Sequence, residues 1–243
     1  ERRVSAALLD ELNKKCTKNK GYKDMLTRRQ KLPAFEMEEL VVNEIEQNQV
    51  VIISGDTGCG KTTQVPQLVL DSMIRKGQGA RANMIITQPR RISAVGVSER
   101  IAQERSEKIG DTVGYSIRLE TKRSARTRLL AVTTGVLLRR LQCDGDLRGV
   151  SHIFVDEVHE RDLNTDFLLI IVKQLLTTRP DLKLVLMSAT LNAKTFQEYF
   201  RGPTIGGMPG LLPPLVEIPG RAHPVDAFFL ETVLEMTGYK VDP

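Results

Sequence analysis

Gly55-Asp56-Thr57-Gly58-Cys59-Gly60-Lys61-Thr62 fits the spacing G-x-x-x-x-G-K-[ST]. Each residue type in it has a physical task. Glycines let the backbone curl until successive N–H groups point at one phosphate. A helix that starts at the lysine adds its positive N-terminal end. The lysine reaches the β- and γ-phosphates, and the hydroxyl after it ligates Mg2+. Gly55 through Thr63 are therefore candidate nucleotide ligands, with Lys61 catalytic and Thr62 a metal ligand. Cys59 reads as a small, tolerated loop residue, because the pattern sets no activating base beside it.

A second candidate, Asp156-Glu157-Val158-His159, follows a short apolar run. Carboxylates at the C-terminal end of a parallel strand stand at the ligand crevice of such sheets. Phosphoryl-transfer enzymes of this loop type use one carboxylate to hold Mg2+ through its water shell. They use another to orient and deprotonate the attacking water. Asp156 and Glu157 supply that pair. Adjacent carboxylates are common by themselves and become specific only beside the loop. His159 in isolation reads as an ordinary surface or core histidine.

The elements needed to hold these residues are legible as an alternation. Strands are expected at 50–54, 84–87, 113–119, 128–133, 152–155 and 182–187, with helices at 61–75, 92–105, 136–142, 165–176 and 193–200. This is an α/β pattern: a mainly parallel sheet with helices on both faces. Before it, Val4, Leu8, Leu12 and Cys16 recur every four residues, which predicts an amphipathic helical arm. Asn19-Lys20-Gly21 stops that helix and a connector follows, broken at Pro33. A second amphipathic helix is expected over 35–46. Segment 202–220 holds ten Gly or Pro in 19 residues, so no regular structure is expected there. A last strand is expected at 223–230.

Taken together, the motifs resemble the first RecA-like motor domain of a DEAH/RHA-type RNA helicase, in the RNA helicase A-like branch. Gly55–Thr63 resembles motif I. Residues 87–94 (Thr-Gln-Pro-Arg-Arg-Ile-Ser-Ala), with 97–102 behind them, resemble motif Ia and its extension. Residues 114–120 resemble a strand-turn element of this branch, 133–139 motif Ib, 156–162 motif II and 188–190 motif III. Order and spacing match from about 28 to 230. Val158 stands where the family name has Ala, and 202–220 looks like an insertion.

The resemblance implies ATP as cofactor, with loose nucleotide selectivity, together with Mg2+. It implies that Arg100 stacks on the nucleotide base. It implies that Arg90, Arg91, Thr134 and Arg118 contact the backbone of single-stranded RNA, and that Ser188, Thr190 and His159 couple nucleotide state to RNA grip. It also implies three parts of a longer chain: an arm and connector at 1–34, a motor domain at 35–236 and a linker at 237–243. A second RecA-like domain, which supplies arginine fingers, and C-terminal accessory domains would be its partners. Without them the chain is expected to hydrolyse ATP poorly. The residues themselves leave two alternatives open: a P-loop ATPase that remodels DNA or protein–nucleic-acid complexes, and a nucleic-acid-binding module without catalysis. The intact Lys61, Asp156 and Glu157 set argues against the second.

Composition excludes several classes. Apolar residues make up 41% and charged residues 27% of 243, close to globular averages. No apolar run reaches the roughly 18–20 residues of a membrane span. Three scattered cysteines make neither a disulfide framework nor a zinc site, so an intracellular, reducing compartment is expected. The net charge is +5, yet residues 1–31 hold ten Lys/Arg and four Asp/Glu, which leaves 25 basic and 26 acidic residues elsewhere. The excess lies in the arm, where the leucine stripe favours docking on one face with lysines outward. Five basic residues between Arg118 and Arg128 read as a solvated hairpin loop or as a backbone contact near RNA. Removal of residues 1–27 is expected to flatten the salt dependence of RNA binding and to spare nucleotide binding. Loss of both would make the arm structural.

Overall fold

The computed structural model describes residues 1–189, 193–203, 210–220 and 226–239. The chain opens with four helices: α1 (Arg2–Lys18), α2 (Lys20–Arg29), α3 (Pro33–Glu36) and α4 (Glu38–Gln47). Then follow β1 (Val50–Gly55), α5 (Lys61–Arg75), β2 (Met84–Gln88), α6 (Arg91–Glu104), β3 (Val113–Ile117), β4 (Glu120–Lys122) and β5 (Leu129–Thr133). The rest is α7 (Thr134–Cys143), β6 (His152–Val155), α8 (Leu163–Thr178), β7 (Lys183–Ser188), α9 (Ala193–Tyr199), β8 (Leu215–Ile218) and α10 (Leu230–Thr237).

Among the described residues the strands form one sheet in the order β4-β3-β5-β2-β6-β7-β1-β8. Every pairing is parallel except β3 with β4. The central strands are buried on both faces, and their side chains sort by period two. From β1, Val51 and Ile53 point to one core with Val65 and Val69 of α5, whereas Ile52 points to the other with Leu168 and Val172 of α8. Helices α4, α5 and α6 cover the first face and α7, α8 and α9 the second, as the alternation predicts.

The arm is a docked layer on the first face. Leu12 and Tyr22 are buried in the core there, with Leu8, Leu9 and Cys16 against it. The Ala80 N–H donates to Ser5 Oγ at 3.0 Å. Lys15 Nζ reaches Glu107 at 2.7 Å. Residues 20–29 are a helix and not the expected connector. Asn19 does end α1, with an extended ψ of 107°, but its side chain then accepts from Tyr22 N and caps α2.

Three further expectations are corrected. Segment 202–220 does contain regular structure: β8 pairs in parallel with β1, with Ile52 opposite Leu215 and Gly55 opposite Ile218. Prolines at 213, 214 and 219, which have no N–H to donate, flank this strand, which lies at the sheet edge among the described residues. The strand expected at 223–230 lies partly outside the described residues. Its described part, 226–229, is not strand, and Leu230 opens α10. The first hairpin strand ends at Ile117, because Leu119 takes a φ of 69° and turns the chain into β4.

At the start of β6, His152 is 7% exposed, stacks near Phe154 and has its pKa pushed down to about 4, chiefly by burial and then by Lys183. The folded state keeps the ring neutral, whereas the unfolded chain protonates it below about pH 6.5. The unfolded state therefore binds the extra proton, and stability falls with pH between about 6.5 and about 4. The loss amounts to about 3 kcal/mol by linkage. Urea unfolding at pH 7 and 4.5 should show it, and His152→Phe should lose less. Equal losses in both proteins would place the acid sensitivity elsewhere.

Candidate functional site

Five adjacent strands deliver the motifs to one edge of the sheet. In spatial order β5, β2, β6, β7 and β1 end in Thr133, Gln88, Val155, Ser188 and Gly55. The parallel register sets Thr87 opposite Val155, and Ser54 opposite Ser188. Asp156 thereby comes beside the loop after β1 although about a hundred residues separate them.

The loop itself is bent by left-handed glycines. Gly58 has φ +85°, and Gly60, the N-cap of α5, has φ +96°, a region that L side chains rarely adopt. Lys61 is the first residue of α5 and is 6% exposed. Its ammonium donates to the carbonyl of Gly55 and, at 3.0 Å, to that of Asp56. Cys59 is fully buried with Sγ 3.8 Å from Lys61 Nζ, so it backs the loop from inside. The Ala34 N–H donates to Cys59 O at 3.0 Å and fastens α3 to the loop. A cleft of about 280 Å3 lies over these residues, bordered by Thr57, Lys61, Thr62, Arg100 and Glu157.

Asp156 is 3% exposed and is the hub of the site. Its Oδ2 accepts from Thr62 Oγ1 and from Gln88 Nε2, both at 2.6 Å. Its Oδ1 accepts from the Glu157 N–H at 3.0 Å. Burial pushes this carboxyl above the ordinary range, and the three hydrogen bonds and Lys61 oppose that push. Glu157 is also raised, first by partial burial and then by the Asp156 charge, with His159 and Lys61 pulling the other way. Its backbone sits at φ 53°, ψ 37°, uncommon for a non-glycine residue. The fully buried Val158 and the bond to Asp156 hold it there.

His159 Nδ1 lies 3.2 Å from the Ala189 N–H and 3.4 Å from Glu157 Oε2. The hydrogen bond from the Ala189 N–H joins the motif II turn to the residue after β7. Ser188 is buried in full at that strand's end. Thr190 lies outside the described residues.

The RNA-contact candidates divide. Arg90, Arg91 and Arg118 are exposed, and Arg90 Nη2 meets Glu160 Oε1 at 3.1 Å. Thr134 is 3% exposed and its hydroxyl turns inward to Gln88 O at 3.4 Å. It occupies the first turn of α7 against β2. Arg100 is half exposed at the cleft, and its Nε donates to Glu104 at 2.8 Å. Of the basic run at 118–128, Arg126 is paired with Glu11 and Asp111 and Lys122 with Glu120. Gln88 carried no assigned role in the sequence. Its proximity to Asp156 exists only because β2 and β6 are neighbours.

A family model described as DEAD/DEAH box helicase matches residues 36–199. The chain belongs to that family. This DEAD/DEAH box domain is RecA-like, as the motifs imply. It is 54% identical over 217 residues to "DExH-box ATP-dependent RNA helicase DExH3" of Arabidopsis thaliana, covering 89% of this chain and 17% of that protein. It is 50% identical over 208 residues to "ATP-dependent RNA helicase DHX30" of Gallus gallus, covering 85% and 16%. It is 47% identical over 235 residues to "ATP-dependent DNA/RNA helicase DHX36" of Bos taurus, covering 96% and 22%. The chain thus spans about a fifth of the length of these relatives. Among the described residues no helix of this DEAD/DEAH box domain is long and apolar enough to cross a membrane.

Replacing Gln88 by Leu removes one of the donors that favour the charged form of Asp156. The Asp156 titration, followed by carboxyl carbon NMR, should move to still higher pH. An unmoved midpoint would show that Gln88 does not hold the carboxylate.

Proposed function

We propose that this chain is the first motor domain of a DExH-type ATP-dependent RNA helicase that binds ATP with Mg2+ and grips the backbone of single-stranded RNA. The observation that carries it is the 2.6 Å bond between Thr62 of the phosphate loop and Asp156 of motif II. It joins the two oxygen donors that such enzymes set against a nucleotide-bound metal.

The donor set fits Mg2+. A hydroxyl and a buried carboxylate are hard oxygen ligands, and a carboxyl raised by burial gains most from a nearby cation. Among the described residues no cluster of three or more His, Cys, Asp or Glu is placed to hold a metal. Mg2+ does not require one, since it keeps waters and uses substrate phosphates. When bound, it neutralises charge on the phosphate oxygens.

The chain's own residues divide the remaining work. The loop N–H groups from Gly55 to Thr63 cradle phosphate, and Lys61 exchanges its carbonyl partners for β- and γ-phosphate oxygens. Glu157, raised by burial and by Asp156, is poised to orient water and take its proton. Arg100 faces the nucleotide base across the cleft. Arg90, Arg91 and Arg118 take RNA phosphates, which carry no base identity. His159, Ser188 and Thr190 pass nucleotide state to the RNA grip, with the His159 bond to Ala189 as the visible joint. Turnover depends on a second RecA-like domain that supplies arginines to the transition state. Accessory domains and an intracellular setting complete the proposal, alongside an arm at 1–34, a motor at 35–236 and a linker at 237–243.

Lys61→Ala should abolish ATP binding measured by calorimetry. Arg90→Ala with Arg91→Ala should cut crosslinking to single-stranded RNA at least tenfold and spare ATP binding. Unchanged RNA crosslinking would favour a P-loop ATPase acting on another substrate. Brisk RNA-stimulated turnover by these 243 residues alone would remove the need for a second motor domain.

A further inference from the structure

Glu104, the last residue of α6, is 1% exposed and surrounded by donors from three elements. Gln64 and Gln67 of α5 donate to its Oε2 at 2.9 and 2.8 Å. Arg29 of α2 lies 3.7 Å from the same oxygen and donates from Nε to Gln64 Oε1 at 2.8 Å. Its other oxygen, Oε1, accepts from Arg100 Nε at 2.8 Å. Arg29 is itself 1% exposed, with its guanidinium over the Phe35 ring at 5.5 Å. Its Nη1 and Nη2 have no acceptor among the described residues.

A carboxylate this deep stays charged only when opposite charge and donors hold it. A guanidinium this deep likewise needs a negative partner. Glu104 and Arg29 meet that need for each other through Gln64. The fixed carboxylate then acts outward. An Arg–Glu pair at i, i+4 on an open helix leaves both side chains free to move. Here one end is immobile, while the Arg100 side chain is 54% exposed and borders the cleft. A planar guanidinium stacks on a flat ring, and holding its plane lowers the cost of doing so.

We propose that Glu104 is a positioning residue for the nucleotide base: it fixes Arg100 at the cleft, and Arg29 of the N-terminal arm keeps Glu104 in place. The arm is therefore part of the nucleotide site and not only a basic extension. The proposal rests on Arg100 facing the base, as set out above.

The test compares ATP with inorganic tripolyphosphate, both with Mg2+, by calorimetry on the whole chain. Tripolyphosphate occupies the loop but has no base. Glu104→Gln should weaken ATP about tenfold, about 1.4 kcal/mol, and leave tripolyphosphate within about twofold. Arg100→Ala should do the same, and adding Glu104→Gln to it should cost nothing further. Glu104→Gln leaves Arg29 unpaired and can compromise folding, so the paired variant Arg29→Gln with Glu104→Gln, which removes both charges, should repeat the pattern. Equal weakening of both ligands would mean a merely structural role and overturn the proposal. So would an unchanged ATP affinity, or losses that add in the Arg100→Ala background. If Lys61→Ala also leaves both affinities intact, the nucleotide site itself has been misplaced, which is a separate failure.

Discussion

The buried carboxylate of Asp156 is the constraint to which the rest of the site conforms. A charge taken out of water must recover its solvation from fixed donors. Here the donors are a hydroxyl from α5, an amide from the end of β2 and the next backbone N–H. Each comes from a different segment, so the carboxylate is satisfied only when β1, β2 and β6 stand in their native order. The same contacts set the phosphate loop against motif II. Loss of any one would leave a buried charge short of a partner, at a cost of about 1.5–3 kcal/mol for a hydrogen bond to a charged group.

Charge burial also explains the arm. Beside Arg29 and Glu104, Arg105 is 2% exposed and bonds Asp71 at 2.8 Å and Glu107 at 3.2 Å, while Lys15 of α1 closes on Glu107 at 2.7 Å. Arg105 is pushed well above the usual arginine range by Asp71 and Glu107 against the opposing effect of burial. Such pairs add little net stability over an apolar core, but breaking one costs about 3–5 kcal/mol because a buried charge is stranded. They therefore specify where the arm sits more than they strengthen it. Part of the basic excess of the first 31 residues is spent inward on this docking, while Lys14 and Lys18 face solvent.

Legibility in the sequence followed burial periodicity. Helix α5 is found where expected, over 61–75, because its apolar positions and its glycine start are strong signals. Strands β1, β2, β5, β6 and β7 are found within a residue or two at each end, as short, mostly apolar runs. Helix α2 was missed because only Tyr22 and Arg29 of it are buried, too few to show a period. Strand β8 was missed because four residues between prolines resemble a loop until β1 offers them a ladder.

Residue type and spacing by themselves determined the phosphate loop, the carboxylate pair and the α/β class, since each depends on neighbours along the chain. The glycine torsions at 58 and 60 and the turn at Glu157 are local as well. The tertiary structure alone decided which strands are adjacent. That order brings Gln88 to Asp156, turns Thr134 inward and lets Arg29 reach Glu104. Hydrogen bonds across 35 to 94 residues of sequence, such as Arg29 to Gln64 and Thr62 to Asp156, leave no local periodicity to read. They arise when burying the two faces of the sheet fixes the order in which its strands assemble.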